Sequence, residues 1–314
     1  MNAETPITKH LMQTLQEKAL ANGPLCVGLD TDPSYLPPSV LSAFDSPAQA
    51  VFAYNHEIIR RAKDNACCFK VQIAYYEAMG IAGLQTYIKT LDAVRSAGYP
   101  VISDIKRGDI ADTAQAYARA HFSGDFESDI ITVNPYMGFD TLRPFTQWCA
   151  PAKGGKGVFV LLRTSNPGMA DIEKQELKGG GIVLDTVGAE LLRIQTEFNA
   201  AYPEQTCSPV GAVVGCTEES DARALRNAYP GIFFLIPGYG AQGGAARIAA
   251  ALLDKAGGTV NSSRGILCAW KKDSALEEKR NAGILCLADI AQSAERAMIA
   301  AKSDLLSAKQ ELGL

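Results

Sequence analysis

The segment Val101-Ile102-Ser103-Asp104-Ile105-Lys106-Arg107-Gly108-Asp109-Ile110 gathers ionisable residues at the end of an apolar run. Asp104 and Lys106 are two positions apart, so in extended backbone both side chains point to one side. Facing the inside of a sheet, they put a carboxylate and an ammonium into one pocket, a combination suited to steadying charge and moving a proton. Asp109, beyond Gly108, can curl back towards them or reach outward. Two other apolar runs end in the same manner. Leu25-Cys26-Val27-Gly28-Leu29-Asp30 brings a second carboxylate, and Cys67-Cys68-Phe69-Lys70-Val71 places an ammonium deep in apolar surroundings. A lone buried lysine is costly, so Lys70 requires a carboxylate nearby. The competing interpretation is a solvated strand end with a surface salt bridge. Arg107-Gly108-Asp109 also spells an adhesion tripeptide, which carries little weight without a secretion signal.

A second chemical feature lies late in the chain. Leu235-Ile236-Pro237-Gly238-Tyr239-Gly240-Ala241-Gln242-Gly243-Gly244 opens a helix, and Asn261-Ser262-Ser263-Arg264-Gly265-Ile266 follows the next apolar run. Glycines permit close backbone approach, and amides at a helix N-terminus suit a phosphate dianion. Arg264 adds a bidentate contact to the same phosphate. Two ordinary glycine turns are the alternative. Residues 238–243 also satisfy GxGxxG, which would suit a nicotinamide oxidoreductase. A dinucleotide fold, however, needs several further parallel strands after that fingerprint and an acid ending the next one, and neither is present.

These residues need elements to carry them. Short runs rich in β-branched residues recur at Leu25–Leu29, Cys67–Val71, Pro100–Ile105, Asp129–Val133, Gly157–Leu162, Val210–Cys216, Ile232–Ile236 and Gly258–Asn261. They lack strict alternation, as strands buried on both faces do. Helix-period stretches separate them: Pro47–Lys63, Leu84–Ala97, Ala111–His121, Leu142–Cys149, Ile182–Ala200, Glu218–Ala228 and Ala245–Lys255, with a long final one at Ile284–Leu312. Strands alternating with helices in this way predict an α/β fold, a closed (β/α)₈ barrel occupying 1–314 as a single domain. An open doubly wound sheet is the runner-up. The N-terminal stretch is amphipathic, and 166–181 reads as a loop inserted over the end of the fifth strand, where barrel active sites lie. A barrel would set Asp30, Lys70, Asp104 and Lys106 side by side, making an alternating chain of acids and bases together with Asp109.

Thirty basic and thirty-four acidic side chains leave a net charge of −4 over 314 residues. That balance gives no reason to expect a nucleic-acid surface or a basic membrane patch. No run approaches a membrane span, and no signal-like segment opens the chain, so a cytoplasmic protein is expected. The eight cysteines form no CxxC pair and are read as buried free thiols rather than a disulfide or zinc framework.

Asp104-Xaa-Lys106-Xaa-Xaa-Asp109-Ile110 on the third strand, with Gly28-Leu29-Asp30 on the first and Phe69-Lys70 on the second, resembles the orotidine 5'-phosphate decarboxylase family. The Lys106-Arg107-Gly108-Asp109 form resembles its longer branch. The resemblance runs from Gly28 to Arg264, and the combination of motifs is specific. It implies conversion of orotidine 5'-phosphate to uridine 5'-phosphate in pyrimidine biosynthesis, without metal or organic cofactor. The sequence agrees in having no metal-ligand spacing and no histidine at a strand end. On this resemblance Lys106 steadies the developing charge and protonates C6, Asp104 sits against the departing carboxylate, and Lys70 and Asp109 hold the charges in place. Asp30 and Lys70 would also hold ribose hydroxyls. Ser165, in Leu162-Arg163-Thr164-Ser165-Asn166-Pro167-Gly168, aligns with the family's base-contacting serine, although a turn serine would look the same. Pro237, Gly240, Gln242, Ser263 and Arg264 would line the remainder of the substrate site, with the phosphate on Gln242, Arg264 and backbone amides. The resemblance further implies a homodimer in which Asp109 and Thr113 serve the neighbouring site. A metal-dependent sugar-phosphate decarboxylase or hexulose-phosphate synthase is the nearest competitor. Such relatives resemble one another in a magnesium-binding acid near the second strand's end, where this chain has Lys70. A non-catalytic nucleotide-binding barrel is a third possibility.

Overall fold

Val, Ile, Leu and Phe dominate the eight strands because each strand is covered on both faces, by barrel interior and by helices. In the computed structural model, which describes residues 8–239 and 243–314, they are β1 (Leu25–Gly28), β2 (Cys68–Gln72), β3 (Val101–Arg107), β4 (Ile130–Val133), β5 (Gly157–Arg163), β6 (Val210–Val214), β7 (Phe234–Ile236) and β8 (Gly258–Ser262). All pair in parallel, each with its neighbours in sequence, and β8 closes onto β1. The predicted (β/α)₈ barrel is therefore the observed fold.

α1 (Leu11–Asn22) closes the floor, and helices cover the outside: α2 (Pro47–Ala62), α3 (Gly80–Ser96), α4 (Ala111–Phe122), α5 (Val183–Asn199), α6 (Glu219–Ala228), α7 (Gly243–Leu252) and α8 (Leu287–Glu311). Two apolar clusters result. One fills the annulus between strands and helices. The other fills the barrel floor, where Met12 and Leu15 of α1 pack with Cys26, Cys68, Ile102 and Phe159. His10 and Gln16 anchor that plug, through Cys207 O at 3.0 Å and Ala256 O at 2.7 Å. Because the floor is packed with apolar side chains, polar chemistry is confined to the opposite, C-terminal mouth.

Some boundaries differ from those predicted. The helix expected at Leu142–Cys149 is instead a chain of short turns, Phe139–Leu142, Arg143–Thr146 and Gln147–Cys149. Pro144 fits the first turn of the middle piece but has no N–H to continue an earlier one. The last helix begins at Leu287 rather than Ile284, where the Asp289 side chain takes the Cys286 N–H at 3.0 Å. The segment 166–181 is irregular, with one 3₁₀ stretch at Pro167–Asp171. All eight cysteines are unpaired; five are buried, while Cys286 is exposed.

Arg226 of α6 ties three elements together from inside. Its guanidinium donates to the carbonyls of Leu252, Tyr229, Ile232 and Gly257 at 3.0–3.1 Å and lies 3.6 Å over the Phe234 ring. Burial pulls its pKa down to about 9, so it stays charged at neutral pH. Arg226→Met would leave four carbonyls without their donor. The urea midpoint should fall by an amount equivalent to about 3 kcal/mol; an unchanged midpoint would show the clamp to be dispensable.

Candidate active site

Strand parity places Lys70 and Asp104 on the barrel's inner side, continuing the rows begun by Cys68 and Ile102, and an irregularity of β3 between Ser103 and Arg107 brings Lys106 to them. Asp30 lies two residues beyond the end of β1. The four side chains form one chain of contacts. Lys70 Nζ donates to Asp30 Oδ1 at 2.8 Å and to Asp104 Oδ2 at 3.0 Å; Lys106 Nζ donates to Asp104 Oδ1 at 2.6 Å. Lys70 and Asp104 are buried, Asp30 less so, and the Lys106 side chain keeps 46% of its exposure. The surface-bridge interpretation is thereby excluded for Lys70 and Asp104.

Burial alone would lower the pKa of Lys70, but the Asp104 and Asp30 carboxylates outweigh it and hold the ammonium well above its ordinary value. Burial likewise works to raise Asp104, yet Lys70 and Lys106 together hold it far below the usual carboxylate range. Lys70 and Asp104 are thus a fixed buried ion pair at neutral pH.

Supporting hydroxyls and amides complete the array. Ser263 donates to Asp30 Oδ2 at 2.7 Å and accepts from Asn261 Nδ2 at 3.1 Å. This approach requires Gly28: a Cβ there would stand 1.9 Å from Ser263 Oγ. On the other flank, Thr132 of β4 donates to Asp104 Oδ1 at 2.9 Å.

A cavity of about 380 Å³ opens beside the charges, lined by Lys70, Asp104, Lys106, Ser165, Pro237 and Asn261 among others. Ser165 packs close to Gly215, where a Cβ would come within 2.8 Å of the serine Cβ. Its loop is fixed by Glu173 of the inserted segment, whose carboxylate accepts the Thr164 N–H at 3.0 Å and the Thr164 hydroxyl at 2.7 Å. Pro237 also borders a second cavity of about 820 Å³, which contains Arg264, Gly238 and Lys272. Arg264 is exposed into it and forms no ion pair with a described residue. The two cavities therefore present a charged reacting end and a guanidinium end joined at Pro237.

Gly240 and Gln242 lie outside the described residues. Asp109 does not join the array of its own chain; its Oδ1 accepts the Ile110 N–H at 2.8 Å. Thr113, on α4, is exposed. Sequence reading passed over Thr132, Asn261 and Glu173. Asn261 stands two residues before Ser263, the same spacing that singled out Asp104 and Lys106, so strand parity could have found it. Glu173, an acid within an irregular loop, carried no signal. Among the described residues no group of three His, Cys, Asp or Glu side chains is disposed to hold a metal ion, and no helix is long and apolar enough to cross a membrane.

Fold and site together define a (β/α)₈-barrel enzyme with paired ammonium and carboxylate groups at its mouth. The chain belongs to the orotidine 5'-phosphate decarboxylase / HUMPS family, whose model matches residues 23–278. It is 51% identical over 265 residues to an orotidine 5'-phosphate decarboxylase of Clostridium botulinum (strain Langeland / NCTC 10281 / Type F), covering 83% of this chain and 90% of that one. The identity to the Clostridium tetani enzyme of the same name is 48% over 267 residues, or 84% and 90% of the two chains. Among solved structures, Leishmania donovani OMP decarboxylase superposes with a TM-score of 0.65 at 30% identity, covering 88% of this chain and 99% of its own. Plasmodium berghei orotidine 5'-monophosphate decarboxylase shares the fold at a TM-score of 0.74 and 17% identity, over 97% and 100%.

The acid response of the array follows from the Asp104 shift. A carboxyl whose folded pKa lies below its unfolded value of about 4 adds stability that is complete above that value and is lost progressively as pH falls from there through the folded value. Asp104→Asn, which removes the negative charge shared by the two lysines, should cost roughly 3 kcal/mol at pH 7. Urea titrations should show that gap shrinking below pH ~4, as the carboxyl of the unfolded chain takes up a proton that the folded one still resists; a gap independent of pH would contradict the assignment.

Proposed function

We propose that this chain decarboxylates orotidine 5'-phosphate to uridine 5'-phosphate without a metal or organic cofactor, as a member of the longer, Lys-Arg-Gly-Asp-containing branch of its family. The observation that carries this reading is Lys70, whose ammonium lies between Asp30 and Asp104. In the metal-dependent competitor a cation-binding acid would stand there. Here a side chain already supplies the positive charge, and the carboxylates around it are committed to it.

In the proposed reaction the C6–carboxylate bond breaks, carbon dioxide leaves, and the bonding electron pair stays on C6. The Lys106 ammonium stabilises that pair and then transfers its proton to C6, completing the product; solvent reprotonates the lysine. Asp104 holds Lys106 in place and faces the departing carboxylate. Lys70 and Lys106 keep Asp104 ionised; Lys70 and Asp30 hold the ribose hydroxyls, with Ser263 fixing Asp30. Ser165 contacts the pyrimidine. Arg264, with Pro237, Gly240 and Gln242 on the same side, receives the phosphate, whose binding energy helps to position the ring. Enzymes facing difficult bond cleavages of this kind lower barriers by up to ~23 kcal/mol, a task assigned here to charges fixed before substrate arrives.

The active species is proposed to be a cytoplasmic homodimer in which Asp109 and Thr113 complete the partner's site. What supports this is that Asp109 takes the Ile110 N–H rather than joining the array of its own chain, and that large apolar side chains are exposed next to it at Ile110 and after β4 at Tyr136 and Met137.

Loss of orotidine 5'-phosphate absorbance, followed with a chelator present, tests the reaction. Rapid conversion is expected; inactivity, with turnover of a sugar phosphate when magnesium is added, would overturn it. Lys106→Ala should reduce turnover by about 10²–10⁴-fold, and near-normal turnover would remove its role as proton donor. Lys106→Ala and Asp109→Asn proteins, each nearly inactive, should recover about a quarter of wild-type activity when unfolded together and refolded, since half of randomly paired dimers carry one intact site. No recovery would contradict a site shared between subunits.

A further inference from the structure

β3 and β4 do not pair regularly at the site. Ser103 faces Ile131 and Arg107 faces Val133, so Asp104, Ile105 and Lys106 together oppose the single residue Thr132. Within this bulge Lys106 adopts a φ of +44°, a left-handed conformation that is strained for a residue with a β-carbon. The bulge turns Lys106 back so that its ammonium meets Asp104, only two residues earlier. It also leaves the Ile105 and Lys106 amides without their regular partners in the ladder.

Thr132 supplies what is missing. Its Oγ1 accepts the Ile105 N–H at 3.0 Å and the Lys106 N–H at 2.9 Å, and it donates to Asp104 Oδ1 at 2.9 Å. A hydroxyl has one donor and two acceptor positions, so all of its capacity is committed to the two reacting residues and the peptide between them. Thr132 is itself buried, with 1% of its surface exposed, so water cannot readily replace it.

We infer that Thr132 is the positioning residue that sets Lys106 and Asp104 in their reactive geometry, an inference resting on the proposed role of Lys106. Valine has nearly the same volume but neither donor nor acceptor. Thr132→Val should lower kcat on the order of tenfold to a hundredfold with little change in KM, because the phosphate and ribose contacts are untouched. Thr132→Ser keeps the hydroxyl and should recover most of the loss. Unchanged kcat in Thr132→Val, a loss confined to KM, or a Thr132→Ser protein as slow as the valine variant would each overturn the inference. Failure of the valine and alanine variants alike to accumulate as folded protein would also overturn it, since the hydroxyl would then serve the barrel rather than the lysine. A crystal structure of Thr132→Val, which needs no substrate, is expected to show Lys106 out of its left-handed conformation and its ammonium away from Asp104. An unchanged bulge there would refute the inference even if the proposed reaction were itself wrong.

Discussion

Asp104 stands between two ammonium groups, and the rest of the mouth is organised around that one carboxylate. Lys70 and Asp104 are both buried, and each would be costly there alone. Lys70 has two acidic partners and Asp104 has two basic ones, so each is charged because the others are. Deleting any member leaves an unmatched charge in a low-dielectric site. The barrel makes the arrangement possible by bringing the ends of β1, β2 and β3 together at the mouth while apolar side chains fill the floor.

Holding charges in place before substrate arrives is what an electrostatic catalyst requires, because no reorganisation is then needed during the reaction. Here rigidity comes from neutral neighbours. Thr132 secures the strained bulge, Ser263 and Asn261 fix Asp30, and Gly28 leaves room for the Ser263 hydroxyl. Glu173 draws the inserted segment onto Thr164, next to Ser165. The array's outward member, Lys106, keeps nearly half its exposure, which suits the one group proposed to exchange a proton.

The strands were legible because burial on both faces leaves a compositional mark, and the charged ends of β1, β2 and β3 stood out against it. Strand parity was enough to place Lys70 with Asp104. It did not anticipate that Lys106 depends on a bulge, since a strand carrying extra residues looks like any other strand in one dimension. Thr132 was invisible for a related reason: a threonine within Ile130–Val133 is an ordinary strand residue, and only its opposition to three residues of β3 gives it a role. The helix predicted over Leu142–Cys149 is broken up because Pro144 has no N–H to join its turn to the one before, which apolar spacing does not register. The direction of Asp109 was left open by the glycine before it, and within one chain its carboxylate takes the Ile110 N–H instead of joining the array.

The interdependence of Asp104 and Lys106 is tested most directly by a double-mutant cycle on kcat, using Asp104→Asn, Lys106→Ala and the two combined. If the pair acts as a unit, the combined variant should be no slower than the slower single one, because either change already dismantles the array. Losses that multiply would show that the two residues contribute independently, and would contradict a mechanism built on one shared carboxylate.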